Sequence, residues 1–95
     1  MELMFGWDAY KARGNFQKHK VSFEEARTVF NDPFTITFPD PDHSDREERY
    51  ITIGASARAR ILLVVHTDRQ ENTIRIISCR KAKPLERRRY EAGED

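Results

Sequence analysis

The chain predicts an α+β domain with two N-terminal helices, a four-stranded antiparallel sheet and one C-terminal helix. Three observations carry that expectation. Apolar residues recur at helical spacing up to Phe30 and at a spacing of two from Pro33 onward. Clusters of turn residues separate short β-branched runs at hairpin distances. Helices and strands come in runs rather than in strict alternation, which favours an antiparallel sheet. At 95 residues, the chain has room for one domain and one modest core.

The elements follow in order. Phe5 and Trp7 flank Gly6, so the chain opens as a short strand or extended arm. Asp8 is a good cap for a helix from Ala9 to about Lys18, since its carboxylate can accept the first free N–H groups. Tyr10 and Phe16 mark the apolar side of this helix, and Lys11, Asn15 and Lys18 its polar side, while Gly14 weakens it and permits close packing. Ser22 and Glu25 form a capping box for a second helix carrying Phe23, Ala26, Arg27 and Phe30, which Asn31, Asp32 and Pro33 end. Phe34, Ile36 and Phe38 alternate with threonines in a first strand, and residues 39–46 form a polar loop. Further strands run over Tyr50–Gly54, Ile61–Thr67 and Thr73–Cys79, with turns at 56–60 and 68–72. Pro84 suits the first turn of the last helix.

The net charge of +1 conceals an asymmetry: +2 over residues 1–20, −5 over 21–50, +7 over 51–90 and −3 at the end. A basic C-terminal half suits a polyanion, although solvated faces that merely balance would have the same composition. No apolar run approaches the roughly 20 residues of a membrane span, and residues 1–8 have no signal-peptide pattern, so a cytoplasmic protein is expected. The single cysteine, Cys79, has no internal partner and reads as small core filler.

The basic run from Thr73 to Tyr90 gathers arginines at a strand-to-helix corner, and guanidinium groups bind phosphate through forked pairs of N–H donors. Simple alternation puts Ile74, Ile76, Ser78 and Arg80 on one face and Arg75, Ile77, Cys79 and Lys81 on the other. Arg80 and Arg88 are the phosphate candidates, whereas Arg87 and Arg89 read as solvated helix charge. His66 is either a satisfied sheet residue or a proton shuttle, and His19 either answers a helix C-terminus or touches substrate. Asp40, Asp42, His43 and Asp45 superficially resemble the start of a calcium loop, but its central glycine and terminal glutamate are missing, so no metal or cofactor is expected. Walker, dinucleotide, G-x-S-x-G and C-x-x-C patterns are all missing from the chain.

Ordered motifs run along nearly the whole chain. Phe5, Trp7, Asp8, Lys11, Asn15, Lys18, His19, Val21, Phe23, Glu25 and Ala26 come first, and Asp42-His43-Ser44, Glu48-Arg49 and Ile53-Gly54 occupy the middle. Val65-His66-Thr67, Arg75 to Ser78, Arg80, Ala82, Glu86-Arg87 and Tyr90 complete the set. In these the chain resembles the BrnT toxins of bacterial type II toxin–antitoxin systems. The resemblance implies a RelE-like fold and a metal-free ribonuclease that cuts RNA to arrest translation. It implies Lys18, His19, His66, Ser78, Arg80 and Arg88 as site residues. On that basis Arg80 and Arg88 are assigned to phosphate and His66 to proton transfer, Ser78 counts as a further catalytic candidate, and Lys18, His19, Arg75 and Lys81 are assigned to RNA contact. The implied partner is a BrnA-like antitoxin with a ribbon-helix-helix domain, through which alone the toxin would meet operator DNA. Lys83-Pro84 departs from the small or hydroxyl residue usual before the last helix. The competing readings are a non-catalytic nucleic-acid or protein-binding module and a degenerate toxin kept as an operon co-repressor.

Overall fold

The computed structural model describes residues 3–41, 48–69 and 72–93. Within them the order is β1 (Met4–Gly6), α1 (Ala9–His19), α2 (Phe23–Thr28) with a 3-10 turn (Val29–Asn31), β2 (Ile36–Pro39), β3 (Arg49–Ala55), β4 (Ile61–Arg69), β5 (Thr73–Lys81) and α3 (Pro84–Ala92). The strands form one five-stranded sheet ordered β1-β5-β4-β3-β2. β2 to β5 are antiparallel as expected, but β1 joins β5 in parallel, so the sheet is mixed rather than four-stranded and antiparallel. The opening arm pairs with a strand some seventy positions later, Met4 beside Thr73, and no local periodicity reports such a contact.

The caps behave as their chemistry dictates. Asp8 accepts the Tyr10 N–H at 2.8 Å and the Lys11 N–H at 3.2 Å. Ser22 accepts the Glu25 N–H at 3.0 Å, but the Glu25 carboxylate does not complete a box. It turns inward instead, accepting from Ser56 Oγ at 2.7 Å and from Arg60, which ties α2 to the β3–β4 turn. Arg60 and then Ser56 hold this carboxyl below its usual range against the opposing effect of burial. Phe34 lies before β2 and is exposed, because Asp32 takes its N–H at 2.9 Å in a turn.

Two apolar layers flank the sheet. On one face Val21, Phe23, Ala26 and Val29 pack on Leu62, Val64, Ile74, Ile76 and Cys79. Each such large side chain removed from water contributes about 1.5–3 kcal/mol. On the other face Ile36, Ile53 and Leu63 form a smaller cluster with Phe38, Ile51, Val65, Ala82 and Tyr90. The Tyr90 hydroxyl donates to Asp32 Oδ2 at 2.5 Å, and this contact with burial pushes the phenol up to about 12.

α1 departs from its expected faces. Tyr10 and Phe16 are exposed, while Asn15, expected on the polar side, is buried. Its amide lies along the edge of β5 beyond the end of β1, donating to Cys79 O at 3.0 Å and accepting from Cys79 N at 3.1 Å. The same Nδ2 donates to Val21 O at 3.0 Å, so one side chain binds helix, loop and strand.

Two glycines behave in opposite ways. A Cβ at Gly54 would lie 2.5 Å from Thr35 Cγ2 and 2.9 Å from Val29 Cγ1, whereas one at Gly14 would meet nothing within 4 Å. Gly14 therefore serves no close packing. Gly54→Ala is expected to destabilise the chain by about 1–3 kcal/mol through overpacking, and Gly14→Ala to stabilise it by about 0.5–1 kcal/mol. Urea unfolding midpoints of the two variants, read against the parent, check both signs.

Candidate functional site

β5 is irregular. Val65 pairs with Ser78 and His66 with Ile76, so Ile77 is an extra residue on β5. A bulge reverses the alternation of the residues beyond it. Ile74, Ile76 and Cys79 consequently share the face covered by α1 and α2. Ser78 and Arg80, paired across to Val65 and Leu63, emerge on the α3 face. Unbroken alternation puts Ile74 and Ile76 with Ser78 and Arg80, but the bulge sends the two pairs to opposite faces.

On the α3 face a groove of about 460 Å³ opens between the end of α1, β2 and α3. Ile51, Leu63 and Val65 form its floor. His19, Ser78, Arg80, Glu86 and Arg89 line its polar walls, with Phe38, Asp40 and Pro41 opposite. Because Asn15 fixes α1 to the β5 edge, His19 at the end of that helix reaches a groove on the sheet's far side.

Arg80 meets Glu86 through two parallel bonds, Nη1 to Oε1 and Nη2 to Oε2, both 2.9 Å. Glu86 Oε1 also accepts the Lys83 N–H at 2.7 Å. The Lys83 side chain has no acceptor for the first free N–H groups of α3, and Glu86 supplies the other half of a capping box by accepting the N–H of the cap residue itself. Arg80, then the Lys83 N–H, keeps the Glu86 carboxyl below its ordinary range despite burial. The Arg89 guanidinium lies 4.4 Å from the Phe38 ring centroid and is half-buried.

The sequence-derived residues divide. His19, Ser78 and Arg80 come together in the groove. Lys18 and Lys81 are exposed and adjoin His19 and Arg80 in sequence. Arg75 sits beside Gly6 and Thr67 near the other end of β5, five residues from Arg80 and so roughly 17 Å along the strand. Arg88 does not join the groove: it is exposed on the outer side of α3 with Leu85, while Glu86, Arg89 and Tyr90 face the sheet. Arg89, which reads from the sequence as solvated helix charge, lines the groove, and the phosphate candidate Arg88 does not. Glu86 and Arg89 had a usable signal, because Glu86 is three residues past the cap and Arg89 one turn further on the same stripe. Asp42, His43 and Asp45 lie outside the described residues.

His66 lies on the opposite face from Ser78 and Arg80, only 2% exposed. Phe30 meets it edge-on at 5.0 Å and Tyr50 stacks at 6.0 Å. Its Nε2 is 2.7 Å from Thr52 Oγ1, which is in turn 2.8 Å from Thr37 Oγ1. The expected meeting of His66 with Arg80 does not occur, because the sheet itself separates the two. Burial holds the imidazole below its usual value, and Asp68, 3.6 Å from Nδ1, offsets part of that. Cys79 is buried as expected, and burial pushes its thiol up to about 12.

The depressed imidazole has a thermodynamic consequence. The unfolded chain takes up this proton near pH 6.5 while the folded chain resists it, so stability is complete above about pH 6.5 and falls below it. The carboxylates with lowered values act in a separate window below about pH 4.5. The urea midpoint is expected to fall between pH 7 and pH 5, and His66→Gln is expected to flatten that slope. An unchanged slope in the variant would locate the titration elsewhere.

A family model described as the ribonuclease toxin, BrnT, of type II toxin–antitoxin systems matches residues 7–86. No curated protein sequence matches the chain. Among solved structures the chain is similar to the ribonuclease toxin BrnT of Brucella abortus, with 22% identity, a TM-score of 0.60, and coverage of 87% of this chain and 97% of that one. At that identity the likeness speaks for the fold alone. With the family model spanning most of its length, the chain belongs to the BrnT ribonuclease toxins of type II toxin–antitoxin systems.

Proposed function

We propose that this chain cleaves RNA in the groove on the α3 face, without a metal ion, and so inhibits translation until an antitoxin neutralises it. The observation that carries the reading is the convergence of one imidazole, one hydroxyl and two guanidiniums, His19, Ser78, Arg80 and Arg89, on a single open groove. Internal cleavage of RNA needs a base for the 2′-hydroxyl, cations for the phosphorane and an acid for the leaving oxygen. The 2′-oxygen attacks the adjacent phosphorus and its proton passes to the base. The bond to the 5′-oxygen breaks, that oxygen takes a proton, and a 2′,3′-cyclic phosphate and a 5′-hydroxyl remain.

His19 is the proton carrier in this scheme, because among the described residues it is the histidine that lines the groove, and His66 is walled off. Arg80 and Arg89 hold the phosphorane, and the Ser78 hydroxyl donates to a phosphate oxygen. Lys18, exposed next to His19, extends the cationic surface to a neighbouring phosphate, whereas Lys81 pairs with Leu62 on the Cys79 face and stands apart from the groove. Fixed guanidiniums supply the charge stabilisation that a divalent ion would otherwise bring. No helix among the described residues is long and apolar enough to cross a membrane. Membership of a type II family implies an antitoxin. We assign it as a BrnA-like ribbon-helix-helix protein that carries the operator contacts of the complex.

Arg80→Ala and His19→Ala are each expected to reduce RNA cleavage by on the order of 10²-fold, while chelator leaves the parent rate unchanged. The readout is gel analysis of a defined RNA, with a 2′-deoxy substitution at the cut site abolishing the product. Binding without cleavage by the parent would return the chain to a binding module. Loss of cleavage in chelator, restored by a divalent ion, would overturn the metal-free scheme.

A further inference from the structure

A guanidinium presents its N–H donors as two forks, one at the Nη1/Nη2 end and one along the Nε/Nη2 side. In Arg80 the end fork is filled by the two oxygens of Glu86, each at 2.9 Å. Nη1 also reaches the Lys81 carbonyl at 3.2 Å. The Nε–H and the second Nη2 proton, which together make the side fork, meet no acceptor among the described residues. Glu86 is itself anchored, since the same Oε1 accepts the Lys83 N–H at the first turn of α3. Both side chains line the groove.

We propose that Glu86 is a positioning residue for RNA cleavage: it grips Arg80 by its end fork and so presents the side fork to two non-bridging phosphate oxygens. This rests on the reading of the groove as the RNA-cleaving site. A substrate phosphate then adds to the Arg80–Glu86 pair and does not replace the carboxylate, which would have to give up two charge-assisted bonds from Arg80. Because the carboxylate offsets part of the Arg80 charge, Arg89 supplies the larger share of the net positive charge at the phosphate. Arg80 contributes direction, through two parallel N–H···O bonds of fixed geometry.

The test is a double-mutant cycle in the full chain with Arg80→Ala, Glu86→Gln and both together, measuring kcat and KM on a defined RNA from pH 5 to 9. Glutamine at position 86 keeps an oxygen for the Lys83 N–H but sets an NH₂ group against one Arg80 nitrogen. Glu86→Gln is expected to lower kcat roughly tenfold to a hundredfold with little change in KM. The shape of the pH profile and the thermal midpoint should stay as in the parent. In the Arg80→Ala background it should cause no further loss, since nothing is left to position. A multiplicative loss there, or disappearance of the acid limb in Glu86→Gln, would make Glu86 a proton carrier and overturn the proposal. So would a drop in thermal midpoint large enough to account for the lost rate, which would leave Glu86 a helix cap only. Parent-like cleavage by Arg80→Ala would instead bring down the groove reading itself.

Discussion

The buried amide of Asn15 is the constraint on which the rest of the arrangement depends. A strand edge beyond its last partner leaves an N–H and a C=O without bonds, and burying them unpaired costs about 1–3 kcal/mol each. β1 is three residues long and pairs only with Thr73 to Arg75. Beyond it, the Asn15 side chain presents a carbonyl and an NH₂ group at the spacing of a peptide and closes the edge at Cys79. An aspartate there would oppose two carbonyls, and an alanine would abandon all three backbone groups. The bond also fixes where α1 ends, and hence where His19 is delivered.

The bulge in β5 sorts the polar residues of the sheet between its faces. Without an extra residue at Ile77, Ser78 and Arg80 would point into the core beneath α1 and α2. With it, Cys79 fills that core and the two polar residues stand under α3. His66 stays on the buried side, where aromatic rings and a chain of threonine hydroxyls hold it. One histidine is thereby buried within the sheet and another lines the groove beside the cations.

α3 shows how a helix with few apolar residues is held. Its sheet-facing stripe is Glu86, Arg89 and Tyr90, and each is secured by a directed contact: with Arg80, over Phe38, and to Asp32. Leu85 faces outward, so burial of aliphatic surface does not orient this element. The same contacts that dock the helix form the polar wall of the groove, so stability and the proposed chemistry share residues. That sharing is why tests of this wall need readouts that separate folding from rate.

Much of this was legible in the chain. The switch of period at Pro33, the caps at Asp8 and Ser22, and the hairpin spacings set by turn residues are local properties, and local physics suffices to read them. The ordered motifs were enough to mark the resemblance to BrnT toxins, and His19, Ser78 and Arg80 were singled out before any geometry. Three things were decided only in the folded molecule. β1 found β5 across the length of the chain, a single bulged residue reversed a face, and the side-chain pairings of α3 chose Arg89 over Arg88. Each depends on contacts between residues distant in sequence or on a one-residue register shift, and periodicity contains neither. The sequence by itself determined which residue types were available for chemistry, and tertiary structure decided which of them meet.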